Sequence, residues 1–533
     1  MPTTPPTRVL GRLLEQRADQ YGARTFLTFK GKAISFEQMN QEANRYANGF
    51  LNLGVRKGDT VCNLLPNCPE YIYTWFGLAK IGAIEIPVNT NLRGDLLSYV
   101  INHSDARILV VDRRFLDNLE FIKDELQSVR TLVIYSPEED AALELPSSSW
   151  LVQPFGVLLD APSHRPDVDL RPGDTATIVY TSGTTGRSKG VMLSHNFCWF
   201  TGEVKIQLLR VTPEDVMYTC LPLFHTNARF TTLMTGLVAG ARVALSERFS
   251  ASRFWSEIKE SGTTIFSQTG PIAPILYQQP PRDDDVDNRV RVVTGKALPP
   301  PMDEGFQKRY GLRLLHGFAM TESGLIACDP IDEPTKTGSF GKAAPGYELK
   351  IFDDEDNELP PNTVGEFVIR PLLPYAMLNG YFKMPEETLS AFRNFWFHTG
   401  DYAYVDEQGY FFFVDRKKDA IRRRGEMVSS FEVEKVINSH PSVRESAAVG
   451  VPAELGEEEI KVLVALKEGE PLLPEDLLAH CEQRMAYFMV PRYVEFRQEF
   501  ARTATGKIQK EVLRKEGIAS AWDREKAGYK LKK

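Results

Sequence analysis

Short apolar runs alternate with helical patterns through the first half of the chain, and this alternation restricts the fold more than any other feature. VCNLLP (residues 61–66) precedes the helical stretch EYIYTWFGLAKIGA (70–83), and ILVVD (108–112) follows. A second series comprises ATIVYTS, VMYTCLPLF, ARVALS, TTIFSQ and RVVTGKA. Apolar strands separated by helices predict a parallel α/β architecture with ligand sites at the strand carboxyl ends. The pattern changes after residue 338. GYELKIFDDEDNELPPNTVGEFVIR predicts two strands joined by an acidic Asp/Asn/Pro turn, hence a small β unit. Beyond the charged VDRKKDAIRRR (414–424), the runs SSFEVEKVINSHPSVRESAAVGVP, EIKVLVAL, PEDLLAHCEQRMA and RYVEF form a separate α+β set. A boundary is expected near residues 417–419, dividing a large front domain (1–417) from a small back domain (418–533). The polar, basic segment after about residue 518 is expected to be frayed.

Composition excludes several classes. The net charge of −8 sits on an even mixture of both signs, so no nucleic-acid partner is implied. Six cysteines (Cys62, Cys68, Cys198, Cys220, Cys328, Cys481) show no CxxC pair and no metal-type spacing. That suits free thiols in a reducing cytoplasm. The start MPTTPPTRVL lacks the charged and apolar parts of a signal peptide. The longest apolar stretch, near residues 233–245, is broken by Arg242 and is too short to span a bilayer, so no membrane insertion is expected.

YTSGTTGRSKGVMLSH (180–195) is the most informative segment. An apolar strand enters a loop containing Thr181, Ser182, Gly183, Thr184, Thr185, Gly186 and Lys189, and a helix-like segment is expected to follow. Glycines let the backbone approach a polyphosphate, hydroxyls and amides donate to its oxygens, and a lysine adds charge. The spacing is not that of a Walker-type loop, because Ser188 stands where the second glycine would fall.

TSGTTGRSKG resembles the signature of the adenylate-forming superfamily of acyl-CoA synthetases, peptide-synthetase adenylation domains and luciferases. Further motifs of that superfamily have counterparts, in order, in LPLFHTNA (221–228), HGFAMTES (316–323), WFHTGDYAYVDEQGYFFFVDR (396–416) and ATGKIQK (504–510). KGD, NCPEYIYTWFGLAKIGAIEIPVN and ERFSASRFW most resemble carnitine/crotonobetaine-CoA ligase-like enzymes. The resemblance implies that ATP and Mg²⁺ activate a small carboxylic acid as acyl-AMP, and that the acyl group then passes to coenzyme A. Transfer to an amine or a carrier-protein thiol, luciferase-like oxygenation, and an inactive nucleotide-binding protein are the alternatives. A homodimer is left open.

Site roles follow from the same resemblance. Thr181, Ser182, Gly183, Thr184, Thr185 and Lys189 would meet phosphate, with Gly317, Phe318 and Ala319 beside adenine. Thr321 would touch phosphate and Glu322 would hold Mg²⁺, although a Thr-Glu pair also commonly starts a helix. Asp401 would accept the ribose hydroxyls, with Arg416 nearby. His225 would line the acyl passage or simply be packed. Lys507 would swing in from the back domain for adenylation, about the hinge residue Lys418, making that domain mobile. The loop RRRGEMVSS (422–430) would then face the thiol, with Gly425 giving the pantetheine arm room. The family often has Gly-Gly-Glu-Asn where Arg424-Gly425-Glu426-Met427 stand, and Arg422, Arg423 and Arg424 would either meet CoA phosphates or be solvated.

Lys296 is the unusual residue of the expected acyl pocket, Gly295-Lys296-Ala297, where the family usually has two small residues. Its ammonium would either reach solvent or face the pocket. Facing inward, it would need an oxygen-rich partner and would disfavour cationic trimethylammonium acids.

Overall fold

The computed structural model describes residues 7–137, 150–181, 188–269, 272–296, 298–417, 419–423, 426–452, 458–503, 506–518 and 520–531. Two compact units are present. The first takes in residues up to Thr181, Ser188–Glu348 and Arg370–Ser390; the second takes in Leu349–Ile369 and Ala391 onward. The small β unit's strands therefore lie largely in the same unit as the carboxyl-terminal residues.

The first unit is built on two large sheets, as the alternating pattern predicts. A seven-stranded sheet runs, in order, Leu151–Pro154, Thr131–Tyr135, Ile108–Asp112, Thr60–Leu64, Ile84–Pro87, Thr175–Tyr180 and Gly190–Ser194. Every neighbouring pair is parallel except the last. Ile108–Asp112 is buried at all five positions, because a parallel strand covered on both faces has no solvent side to place polar residues on. The nine-stranded sheet has a parallel centre, including Arg242–Leu245, Val216–Thr219, Ile265–Ser267, Val292–Gly295 and Arg313–Met320. Antiparallel strands close both of its edges. Helix ends follow local chemistry. Ser35 and Gln38 form a reciprocal capping box on Phe36–Asn52, and Pro69 opens Pro69–Lys80 where no intrahelical amide is needed.

In the second unit, the acidic-turn pair Tyr347–Phe352 and Gly365–Pro371 enters a five-stranded sheet with Trp396–Val405, Phe392–Arg393 and Phe411–Arg416. The carboxyl-terminal set packs the helices Ser430–Asn438 and Pro474–Glu482 against a four-stranded sheet. The expected frayed tail is not observed. Trp522–Asp523 pairs with Tyr493–Phe496, Asp523 meets Arg492 at 3.3 Å, and Tyr529 and Leu531 pack on the apolar core. Overall polarity concealed three apolar anchors spaced widely enough to hold the segment down. All six cysteines are free and buried.

Candidate active site

The hydroxyl-rich segment leaves its strand into another strand, not into a helix. Thr175–Tyr180 pairs antiparallel with Gly190–Ser194, Tyr180 opposite Gly190, and the helix begins only at His195. GVMLS adopts the extended form because pairing completes the sheet edge and buries most of it, and Ser194 then caps the helix through Phe197 N. The neck of the hairpin is tied. Thr181 N donates to Lys189 O at 3.0 Å, and the Ser188 hydroxyl donates to Thr181 O. Ser182, Gly183, Thr184 and Thr185 lie outside the described residues, as do Ala297, Lys418 and Gly425.

A second segment lies along the outer side of this hairpin. Asn379 N donates to Met192 O, Met192 N to Gly380 O, and Phe382 N to Gly190 O. This ladder brings Tyr381 beside Lys189, whose Nζ stands 4.7 Å from the ring centroid. The Tyr381 hydroxyl donates to Glu322 Oε1 at 3.0 Å. Lys189 and Glu322, far apart in sequence, are therefore joined through one aromatic side chain. Burial, reinforced by the Glu322 charge, pushes the Tyr381 phenol well above its ordinary pKa and keeps it a hydrogen-bond donor.

Glu322 sits in the turn between Arg313–Met320 and Gly324–Cys328, an antiparallel hairpin, so the Thr-Glu pair does not open a helix. The carboxylate is buried, and its main-chain carbonyl accepts from Leu378 N at 2.8 Å. Thr321 is half-buried beside it. Along the hairpin Gly317 and Phe318 are half-buried and Ala319 is exposed, with Phe318 5.0 Å from Phe340. His316 anchors the strand. Burial opposes its charge, but Asp303 at 2.8 Å and Asp329 at 3.2 Å prevail and raise it to about 9.

On the acyl side, His225 is exposed, with its ring 4.6 Å from Phe224. Its segment is held by Asn67, which donates to Leu221 O and accepts from Leu223 N. The π-helical turns that follow, Asn227–Met234, carry Arg229, fully buried against Glu85 and 3.9 Å from the Trp75 ring. Gly295 ends its strand, and Lys296, the next residue, is exposed.

In the second unit Asp401 and Arg416 are cross-strand partners, with Arg416 Nε 3.8 Å from Asp401 Oδ1. Gly400 precedes Asp401 at φ 69°, a left-handed turn that glycine supplies without strain. Asp415 faces inward and accepts from Ser430 N at 2.5 Å. Lys417 meets Asp354 and Glu366 at 2.9 and 3.1 Å. Lys507 is exposed, and its main chain is tied to Thr503, since Thr503 N donates to Lys507 O at 2.8 Å and Lys507 N to Thr503 Oγ1 at 3.1 Å. Arg423 is corrected from either expected role. It is buried and paired with Glu459 at 2.7 Å, and it donates to Phe488 O and Val490 O. A guanidinium so occupied is not offered to a phosphate.

Sequence reasoning missed Tyr381 and Lys205. Nothing local marks Tyr381. Lys205 had a signal, since it lies on His195–Leu209, a helix buried on nearly all sides.

A parallel-sheet unit with a hairpin tied at its neck, an adjacent lysine and a buried carboxylate has the form of an α/β enzyme acting on an anionic substrate. The model described as AMP-binding enzyme matches residues 14–382, and that of the AMP-binding enzyme C-terminal domain matches 432–507; the chain belongs to the AMP-binding enzyme family. It is 36% identical over 518 residues to crotonobetaine/carnitine–CoA ligases of Shigella dysenteriae and Escherichia coli, covering 95% of this chain and 98% of each relative. Among solved structures, it is similar to the anthranilate CoA ligase AuaEII in complex with anthranoyl-AMP, with TM-score 0.83 and 27% identity over 96% of this chain and 98% of the other. ATP-bound MatB from Rhodopseudomonas palustris gives 0.84 and 26%, over 98% and 100%. The chain is an AMP-forming acyl-CoA ligase that uses ATP and CoA and works through an acyl-AMP. Among the described residues, no helix is long and apolar enough to cross a membrane.

Proposed function

We propose that the two half-reactions are divided among these residues as the motifs suggest. In the first, a carboxylate oxygen of the acid attacks the α-phosphorus of ATP, an acyl–phosphate bond forms, and pyrophosphate leaves. The hairpin residues Thr181, Ser182, Gly183, Thr184, Thr185 and Lys189, with Thr321, hold the departing phosphates. Gly317, Phe318 and Ala319 border adenine, and Asp401 accepts from the ribose hydroxyls with Arg416 beside it. Lys507 supplies charge where the attacking carboxylate and α-phosphate meet. In the second half-reaction the CoA thiolate attacks the acyl carbonyl and AMP leaves. Lys418 is the hinge between these states, with Gly425 on the thiol side and His225, Gly295, Lys296 and Ala297 around the acyl group.

The observation that carries this reading is the Lys189–Tyr381–Glu322 connection, which sets a cation over one ring and a buried carboxylate on that ring's hydroxyl. Mg²⁺ fits this donor set. A magnesium ion on a nucleotide is held mostly by phosphates and water and needs only one or two carboxylates. Glu322 would hold the ion, which would neutralise phosphate charge. Buried free cysteines favour a reducing cytoplasm. The test is carboxylate-dependent AMP release, measured with and without CoA. Release that needs both acid and CoA for turnover is expected; equal turnover with an amine in place of CoA would overturn the acceptor.

A further inference from the structure

Lys205 is fully buried on His195–Leu209, with its Nζ 2.5 Å from Ser267 Oγ. No carboxylate among the described residues pairs with it, and burial draws it down to about 7, opposed only weakly by Cys328. Ser267 Oγ lies 3.0 Å from Thr294 Oγ1, and the two residues are register partners at the carboxyl ends of the parallel strands Ile265–Ser267 and Val292–Gly295. The next residue, Gln268, is buried. Its Nε2 donates to Lys296 O at 3.0 Å, while its Oε1 has no partner. That side chain lies flat on Gly295, where a Cβ would stand 2.4 Å from Nε2.

The strand ends beside Gly295 and Lys296 thus hold a buried amine with spare donors and a buried acceptor without a donor. Polar groups left this way are costly unless a ligand answers them. A hydroxyl answers both, and a carboxylate answers the amine. An alkyl end answers neither, and a trimethylammonium end accepts no hydrogen bond and repels the amine.

We infer that Lys205, with Ser267 and Gln268, forms the subsite for the far end of the acyl group, and that the acid carries a hydrogen-bonding oxygen there. The inference rests on the reading of residues 295–297 as the acyl site.

The test uses the full-length enzyme and four acids of matched length ending in methyl, hydroxyl, carboxylate or trimethylammonium. CoA-dependent AMP release and calorimetric binding of each acid are both measured. A site built around polar groups should prefer the hydroxyl or carboxylate acid over the methyl acid by about a hundredfold or more in kcat/KM. Lys205→Met, which removes a buried charge while keeping side-chain length, should collapse this ratio below about tenfold by raising methyl-acid turnover, and leave the KM for ATP unchanged. Ser267→Ala should lower the ratio less, since the amine remains. Preference for the methyl or trimethylammonium acid, or an unchanged ratio in Lys205→Met, overturns the subsite. Binding of the oxygen acids to wild type but not to Lys205→Met, with no AMP release from any acid, would keep the subsite and defeat the assigned reaction. Neither binding nor release defeats both.

Discussion

Replacing Tyr381 by Phe removes a single oxygen from the middle of the contact between Lys189 and Glu322. The lost interaction is a buried 3.0 Å hydrogen bond donated to Glu322 Oε1. Hydrogen bonds to charged groups contribute about 1.5–3 kcal/mol. A loss felt wholly in the transition state lowers the rate about ten- to hundredfold. The ring remains in Phe, so the Lys189 contact at 4.7 Å survives. Tyr381→Leu removes that as well, costing about a further 0.5–2 kcal/mol. The assay is acid-dependent ATP–pyrophosphate exchange, with Mg²⁺ and ATP varied separately. Tyr381→Phe should raise the Mg²⁺ concentration needed for half-maximal exchange and lower the maximal rate, while the KM for the acid stays put. A variant within twofold of wild type in both rate and Mg²⁺ dependence would show that the hydroxyl does not orient Glu322.

Lys507→Ala should slow acyl-AMP formation about 10²–10³-fold and spare thioester formation from preformed acyl-AMP; equal loss in both, read by rapid quench, would deny a step-specific role. Glu366 should contribute to acid sensitivity in the second unit, as should Glu495, which is lowered likewise. Burial works to raise the Glu366 carboxyl, but hydrogen bonds from His398 and Lys417 prevail and lower it to about 2. A depressed folded-state value means its contribution is fully present above the ordinary carboxylate pKa and is lost as pH falls toward 2. Glu366→Gln should therefore flatten the fall in melting temperature between about pH 5 and 2. An unchanged slope would refute this.

Much of the fold was legible because burial alone explains it. ATIVY and VVTG read as strands and are strands, since short, mostly apolar, β-branched runs have few other outcomes. GVMLS was harder, because its extended form depends on Tyr180 and its neighbours across the hairpin, and no local propensity encodes that pairing. The tail after residue 518 was misread for a similar reason, its order coming from Val494 and Arg492. Within the site, the motif residues were found by pattern. Tyr381 and Ser267 were not, because they meet Glu322 and Lys205 across 59 and 62 residues of sequence. Arg423 erred the other way: a run of three arginines suggested a surface, and Glu459 shows one of them to be interior.

The central claim is that the acid's own oxygen attacks the α-phosphorus. It is tested most directly by supplying an acid labelled with ¹⁸O in its carboxylate, together with ATP and CoA, and weighing the products. Acyl-AMP formation followed by thiolysis leaves one ¹⁸O in AMP and none in pyrophosphate. Label appearing in orthophosphate or pyrophosphate, or AMP released without label, would contradict the account.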